Sequence, residues 1–201
     1  MGGRVQAQFG AGLTAGDVDN VLDGEAVVRR TTVPAEALSG QDRSMTDDAD
    51  ANPGHLVVAA VDQCLSLART WHAWDGRPIA RLTDEGMPNT WTPHKALRRI
   101  ADHLVDHLHQ VEALLAGATP LADEWHGRSV TVDADWARFT EPDYAEACSR
   151  LQRLGRWYVL RYETAGGDAW DLPRPGAWTL REIAEHVAGV DYYAQQVGSL
   201  A

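Results

Sequence analysis

The sequence predicts an all-α fold: a four-helix bundle with one long crossover connection, preceded by a poorly ordered N-terminal extension. Three observations carry this. Four segments repeat apolar residues at spacings of three and four, the signature of a helix with one buried face. No stretch between them alternates apolar and polar residues as a half-buried strand does. Hydrophobic residues make up 44 % of the 201, enough for one core, and their sustained periodicity begins only after the first fifty or so positions. The chain therefore divides into an extension over residues 1–52 and a helical domain over residues 53–201.

The extension is rich in Gly, Ala, Asp and Thr, and it runs into SMTDDADANPG with no sustained apolar period. Such a composition buries too little to offset the entropy of ordering, so it reads as disordered or loosely attached. The stretch from Met45 resembles an ordinary protein start. Gly10, Gly12 and Gly16 follow Phe9, but their spacing is GxGxxxG, not that of a dinucleotide fingerprint. No strand and helix pattern follows them, so they read as a flexible tail.

The first helix is expected from about His55 to Trp74, with Val57, Val61, Cys64, Ala68 and Trp71 on one face. The second has a marked start, with Thr92 as cap and Pro93 in the first helical position, where its missing N–H costs nothing. Its stripe is Leu97, Ile100, Leu104, Leu108, Val111 and Leu115, and Gly117 ends it. Residues 118–140 are too long for a tight turn and are expected to cross the bundle. The third helix spans about Glu141 to Thr164, with Tyr144, Cys148, Leu151, Leu154 and Tyr158 in register, and Gly166 and Gly167 stop it. The fourth opens on Thr179 with Glu182 three residues later, a capping box, and carries Leu180, Ile183, Val187, Val190, Ala194 and Val197.

Charge and cysteine content exclude some functions. A net charge of −11 opposes a polyphosphate backbone, so no nucleic-acid partner is expected. The longest uncharged apolar run, Leu56 to Val61, falls far short of the roughly 20 residues that span a bilayer. The first twenty residues have no continuous apolar segment of the signal type. Cys64 and Cys148 stand far apart with no CxxC, which suits a reducing cytoplasm and suggests neither a disulfide framework nor a zinc knuckle.

The second and fourth helices look alike. Trp91-Thr92 matches Trp178-Thr179, and the run Ile100 to His103, IADH, matches Ile183 to His186, IAEH. Four more residues, about one helical turn, lie between the two matches in the second helix.

The residues able to carry chemistry lie on these two helices. His103 and His107, four apart, project from one side of the second helix. At about 100° per residue they lie roughly 100° and 60° from the centre of its apolar stripe, facing the gap between helices. His109 points the other way, to solvent. His186 lies about 50° from the centre of the fourth helix's stripe and is expected to be largely buried. Two imidazoles at i and i+4 with a third from a facing helix is a geometry that bundles use for metal. The alternative is a core histidine at 186, satisfied by Glu182 or a tyrosine. Asp102 and Asp106 are placed to orient the imidazoles, or to face solvent. Glu182 is a candidate ligand or base as well as a cap. Tyr193, near the His186 face, is a candidate proton donor or a core residue. His126, in the crossover, is a candidate to close over the site. Cys64 and Cys148 read as core thiols, and Trp91 and Trp178 as staples of helix starts.

The segment from Trp91 to Ala201, about half the chain, resembles the DinB superfamily, which includes thiol-dependent transferases and the mycothiol-dependent maleylpyruvate isomerase. The resemblance rests on WTLREIAEH (178–186), the following VDYYAQQV, and RRIADHLVDH (98–107). It implies a four-helix bundle in which three histidines from two helices bind a divalent metal, here His103, His107 and His186. Zinc is the default, and nickel or iron would also suit. It implies an enzyme of transferase or isomerase type working with a small-molecule substrate and a low-molecular-weight thiol such as mycothiol or bacillithiol; the catalytic candidates, from their positions on the helix, are Tyr193 and Glu182. It also implies a homodimer. The sequence departs from the family pattern in one respect: the HxxxH pair comes first and the single histidine last, with Val190 where a second C-terminal histidine would fall. The alternative is a non-catalytic binding or stress-response accessory bundle with structural histidines.

Overall fold

The computed structural model describes residues 51–83, 86–122 and 130–200. The extension expected over residues 1–52, with its glycines and Met45, lies outside them up to residue 50. The described chain is mostly helical, with little strand.

Helix α1, Gly54–Ala68, starts where the Asn52 side chain accepts the Gly54 N–H at 2.8 Å. The same side chain donates to the Val159 carbonyl, fastening the helix start to a distant part of the chain. The helix ends earlier than expected. Thr70 turns both its N–H and its hydroxyl onto the Leu67 carbonyl, which tightens the last turn, and a 3₁₀ turn at Trp71–Ala73 follows. Trp71 still belongs to the buried face.

A short antiparallel hairpin then appears that periodicity does not reveal: β1, Ile79–Leu82, pairs with β2, Pro88–Trp91, in the register Ile79↔Trp91 to Leu82↔Pro88. Each strand has four residues and only Trp91 is buried, so no apolar alternation marks them. Helix α2, Pro93–Leu115, begins as expected, with the Thr92 hydroxyl accepting the Lys95 N–H at 3.2 Å. It ends where Gly117 takes a φ of 69° and the Ala118 N–H returns to the Ala113 carbonyl. The described end of the following connection makes a 3₁₀ turn at Asp133–Trp136 and is bound back to the start of α2. Asp135 holds Arg98 through two hydrogen bonds, 2.7 and 3.1 Å, and its carbonyl accepts from the Thr92 hydroxyl.

Helix α3, Glu141–Ala165, starts where Asp143 accepts the Thr140 N–H and stops at Gly166, whose φ is 78°. A single turn, α4, Gly167–Trp170, leads on. The expected fourth helix is present but broken: α5, Leu180–Val187, a 3₁₀ turn at Ala188–Val190, then α6, Asp191–Val197. The turn centres on Gly189, a poor helix former at which an added Cβ would meet open space. The capping box at Thr179 and Glu182 is formed in both directions, at 2.7 and 3.1 Å.

One core joins these helices. Val57, Val61 and Cys64 of α1, Ile100 and Leu104 of α2, Leu151 and Tyr158 of α3, and Ile183, Val187 and Ala194 of α5 and α6 are all buried in it. Buried hydroxyls find carbonyls: Tyr158 donates to Leu104 at 2.7 Å and Tyr162 to Leu180 at 2.5 Å. Among the described residues no helix is long and apolar enough to cross a membrane.

Candidate metal centre

Helix α2 runs beside α5 and α6, and the facing surfaces carry the histidines. His103 and His107 project from α2 and are each only 6 % exposed. His186 projects from α5 and is half-buried, less enclosed than expected. The three rings meet at one point: their centroids are 4.5 Å apart for His103 and His107, 5.0 Å for His103 and His186, and 4.7 Å for His107 and His186. One ring nitrogen from each lies within 4.8 Å of the others. Three nitrogens around a divalent ion at about 2.0–2.1 Å would sit roughly 3–3.5 Å apart, so the rings would draw closer on binding one. The arrangement is one that could hold a metal ion.

The surroundings set which atoms point inward. The Gln110 side-chain oxygen lies 2.8 Å from Nδ1 of His107. An amide oxygen only accepts, so Nδ1 carries the proton and Nε2 keeps its lone pair as the ligand atom. Trp178, read from the sequence as a helix staple, is half-exposed and lies over the site, 4.8 Å from the His186 ring and stacked at 6.3 Å on His107. The Tyr193 ring stands 5.7 Å from His103 and 6.0 Å from Trp91. Of the two repeated Trp-Thr starts, Trp178 touches the histidines directly and Trp91 touches Tyr193. Arg99, one turn before His103, is 3 % exposed and reaches the Tyr193 hydroxyl at 3.3 Å.

The remaining candidates are distributed as follows. Asp102 is engaged by Arg98 and Arg99, at 3.8 and 3.6 Å. Asp106 is half-buried, and its charge acts on the buried Tyr158. Gln110, not foreseen from the sequence, is placed to orient His107. Glu182 is exposed and spent on the Thr179 cap. His109 is exposed and accepts the Leu121 N–H at 3.4 Å. His126 lies outside the described residues. Cys64 is buried in the core, and burial pushes its thiol up to about 12, which leaves no thiolate near neutrality. Sequence reasoning missed Gln110 and Arg99, though their spacings of three and four from the histidines were there to be read.

Compared with protein-family models, curated proteins and solved structures, the chain matches none.

Proposed function

We propose that this chain is a four-helix bundle of the DinB-like kind that binds a divalent metal through His103, His107 and His186 and acts as a metal-dependent enzyme with a small thiol, of transferase or isomerase type. The observation that supports this most is the meeting of three imidazoles from two helices at one point. Imidazole donors suit zinc, nickel or iron, with zinc the default. An ion with three nitrogen ligands keeps a position open and lowers the pKa of a thiol or water bound there. The thiol is supplied from outside, because Cys64 is sealed in the core and Cys148, partly buried, packs against the core from α3. Gln110 fixes the His107 tautomer, and Tyr193, its ring 5.7 Å from His103, is the candidate proton donor.

Thermal melts with and without zinc, nickel or iron test the metal half, on protein made without a polyhistidine tag. At about 100-fold excess over Kd the metal adds roughly 2.7 kcal/mol, or about 5–10 °C in Tm. His186→Ala should abolish the rise, while His109→Ala, on the opposite face of α2, should leave it intact. One observation favours a second reading, a non-catalytic bundle with structural histidines: the rings of His107 and His186 are already covered by a protein side chain, Trp178. On that reading metal leaves the Tm of the unaltered protein unmoved, and His186→Ala lowers it through lost packing alone.

A further inference from the structure

A cleft of about 380 Å³, lined by none of the three histidines, opens between the segment after α1 and the 3₁₀ turn at Asp133–Trp136. Its lining is His72, Trp74, Asp75, Gly76, Trp136 and Arg138. Sites for small molecules run to roughly 300–1,000 Å³ and combine aromatic walls with a few polar groups, and this cleft does both.

The two segments that form it are fixed before any ligand arrives. The Trp74 N–H returns to the Trp71 carbonyl at 2.9 Å, and its indole donates to the Arg77 carbonyl at 2.8 Å. The Asp75 carboxylate takes the Arg77 N–H at 3.0 Å. In the other segment the buried Asp135 accepts the Val132 N–H at 2.9 Å and holds Arg98, which anchors the turn, yet the next residue, Trp136, is left 41 % exposed. A ring that stacks on an indole held this way orders little that was free before.

Charge decides which ring. Asp75 is engaged by Arg77 at 3.4 Å, whereas the side chains of His72, Trp136 and Arg138 make no hydrogen bond or ion pair with any described residue. The cleft therefore offers flat π faces, a permanently charged guanidinium fork and further N–H donors. A phosphate suits the fork, and a nucleobase suits the indoles, since every base has a π face. A quaternary ammonium, another guest of aromatic walls, would meet the like charge of Arg138.

We infer that this cleft binds a mononucleotide, its base against the indoles and its phosphate on Arg138 and His72. The inference does not rest on the metal-site reading. Calorimetric titration of the metal-free full chain with AMP should show saturable binding at or below about 1 mM, the weak end of metabolite affinities. Adenosine and ribose 5-phosphate should each bind about ten-fold more weakly, having lost one of the two contacts. Trp136→Ala should weaken AMP about ten-fold, and Arg138→Gln should do the same while leaving adenosine unchanged. Both side chains are exposed, so neither substitution opens the core. His186→Ala should bind AMP as the wild type does. Absence of saturation overturns the inference, as do equal affinities for AMP and adenosine or undiminished binding in either cleft variant. Loss of AMP binding in His186→Ala would move the ligand to the histidines and overturn it too. An oligoadenylate should bind no tighter than AMP; tighter binding would replace the free nucleotide with a strand and overturn the assignment.

Discussion

Lys95 is fully buried, yet its ammonium is well provided for: it donates to the Asn89 side chain at 2.9 Å, the Thr90 carbonyl at 2.7 Å and the Thr131 hydroxyl at 3.1 Å. A lysine in the first turn of a capped helix ordinarily faces water, which is why the sequence alone does not single it out. Burial, reinforced by Arg98, lowers its pKa from 10.5 to about 8. Between those values the unfolded chain holds a proton that the folded chain has released, so this group makes stability rise with pH, by about 1.4 kcal/mol per pH unit. Cys64 acts in the opposite sense. Its folded thiol keeps its proton to about 12 while the unfolded one loses it near 9.0, and the buried Tyr158 and Tyr162 add the same trend above 10. Urea melts should therefore show stability rising from pH 8 to 9, levelling, and falling beyond 10. Lys95→Met should lose the rise whatever its stability at pH 7; a rise that persists in that variant refutes the assignment.

Helices α1 and α3 pack closely because two glycines allow it, and the two differ in what they tolerate. A Cβ on Gly54 would lie 2.7 Å from the Val159 nitrogen and 2.9 Å from the Tyr158 carbonyl carbon, backbone atoms that cannot swing aside. Gly155 faces Val58 and Val61 at 3.5 Å or more, ordinary contact. Gly54→Ala should cost about 1–3 kcal/mol by overpacking, whereas Gly155→Ala should be neutral or stabilising, since alanine favours the helix by about 1 kcal/mol. Equal denaturant midpoints for the two variants would contradict the packing described here. Elements with a wide buried face, such as α2 and α3, were legible in the sequence because their periodicity persists over many turns. The hairpin was not, having almost no buried residue to mark it. The break at Ala188–Val190 was hidden because the apolar positions continue in step across it. The histidine positions were legible through their spacing, but Trp178 was not: its contact with His107 joins segments whose arrangement only the tertiary fold determines.

At the scale of the molecule, the candidate site belongs to no local unit. Arg99 and Tyr193 meet across 94 residues of chain. The last described residues are bound back to the end of α1, where the Trp71 indole donates to the Gly198 carbonyl across 127 residues and the Leu200 N–H to the Thr70 hydroxyl across 130. Contacts of such separation are expensive to form early, because the intervening chain must surrender its freedom before any contact compensates for it. Single helices can form within microseconds, whereas the histidine cluster exists only once α5 has docked on α2. A metal ion offered to the refolding chain would thus serve as a clock for the closing of the whole structure. In stopped-flow refolding with cobalt, the colour of the bound ion should appear no sooner than the slowest recovery of tryptophan fluorescence. Colour that precedes it would mean that the histidines capture metal in an open chain, so that the ion guides the fold instead of reporting its completion.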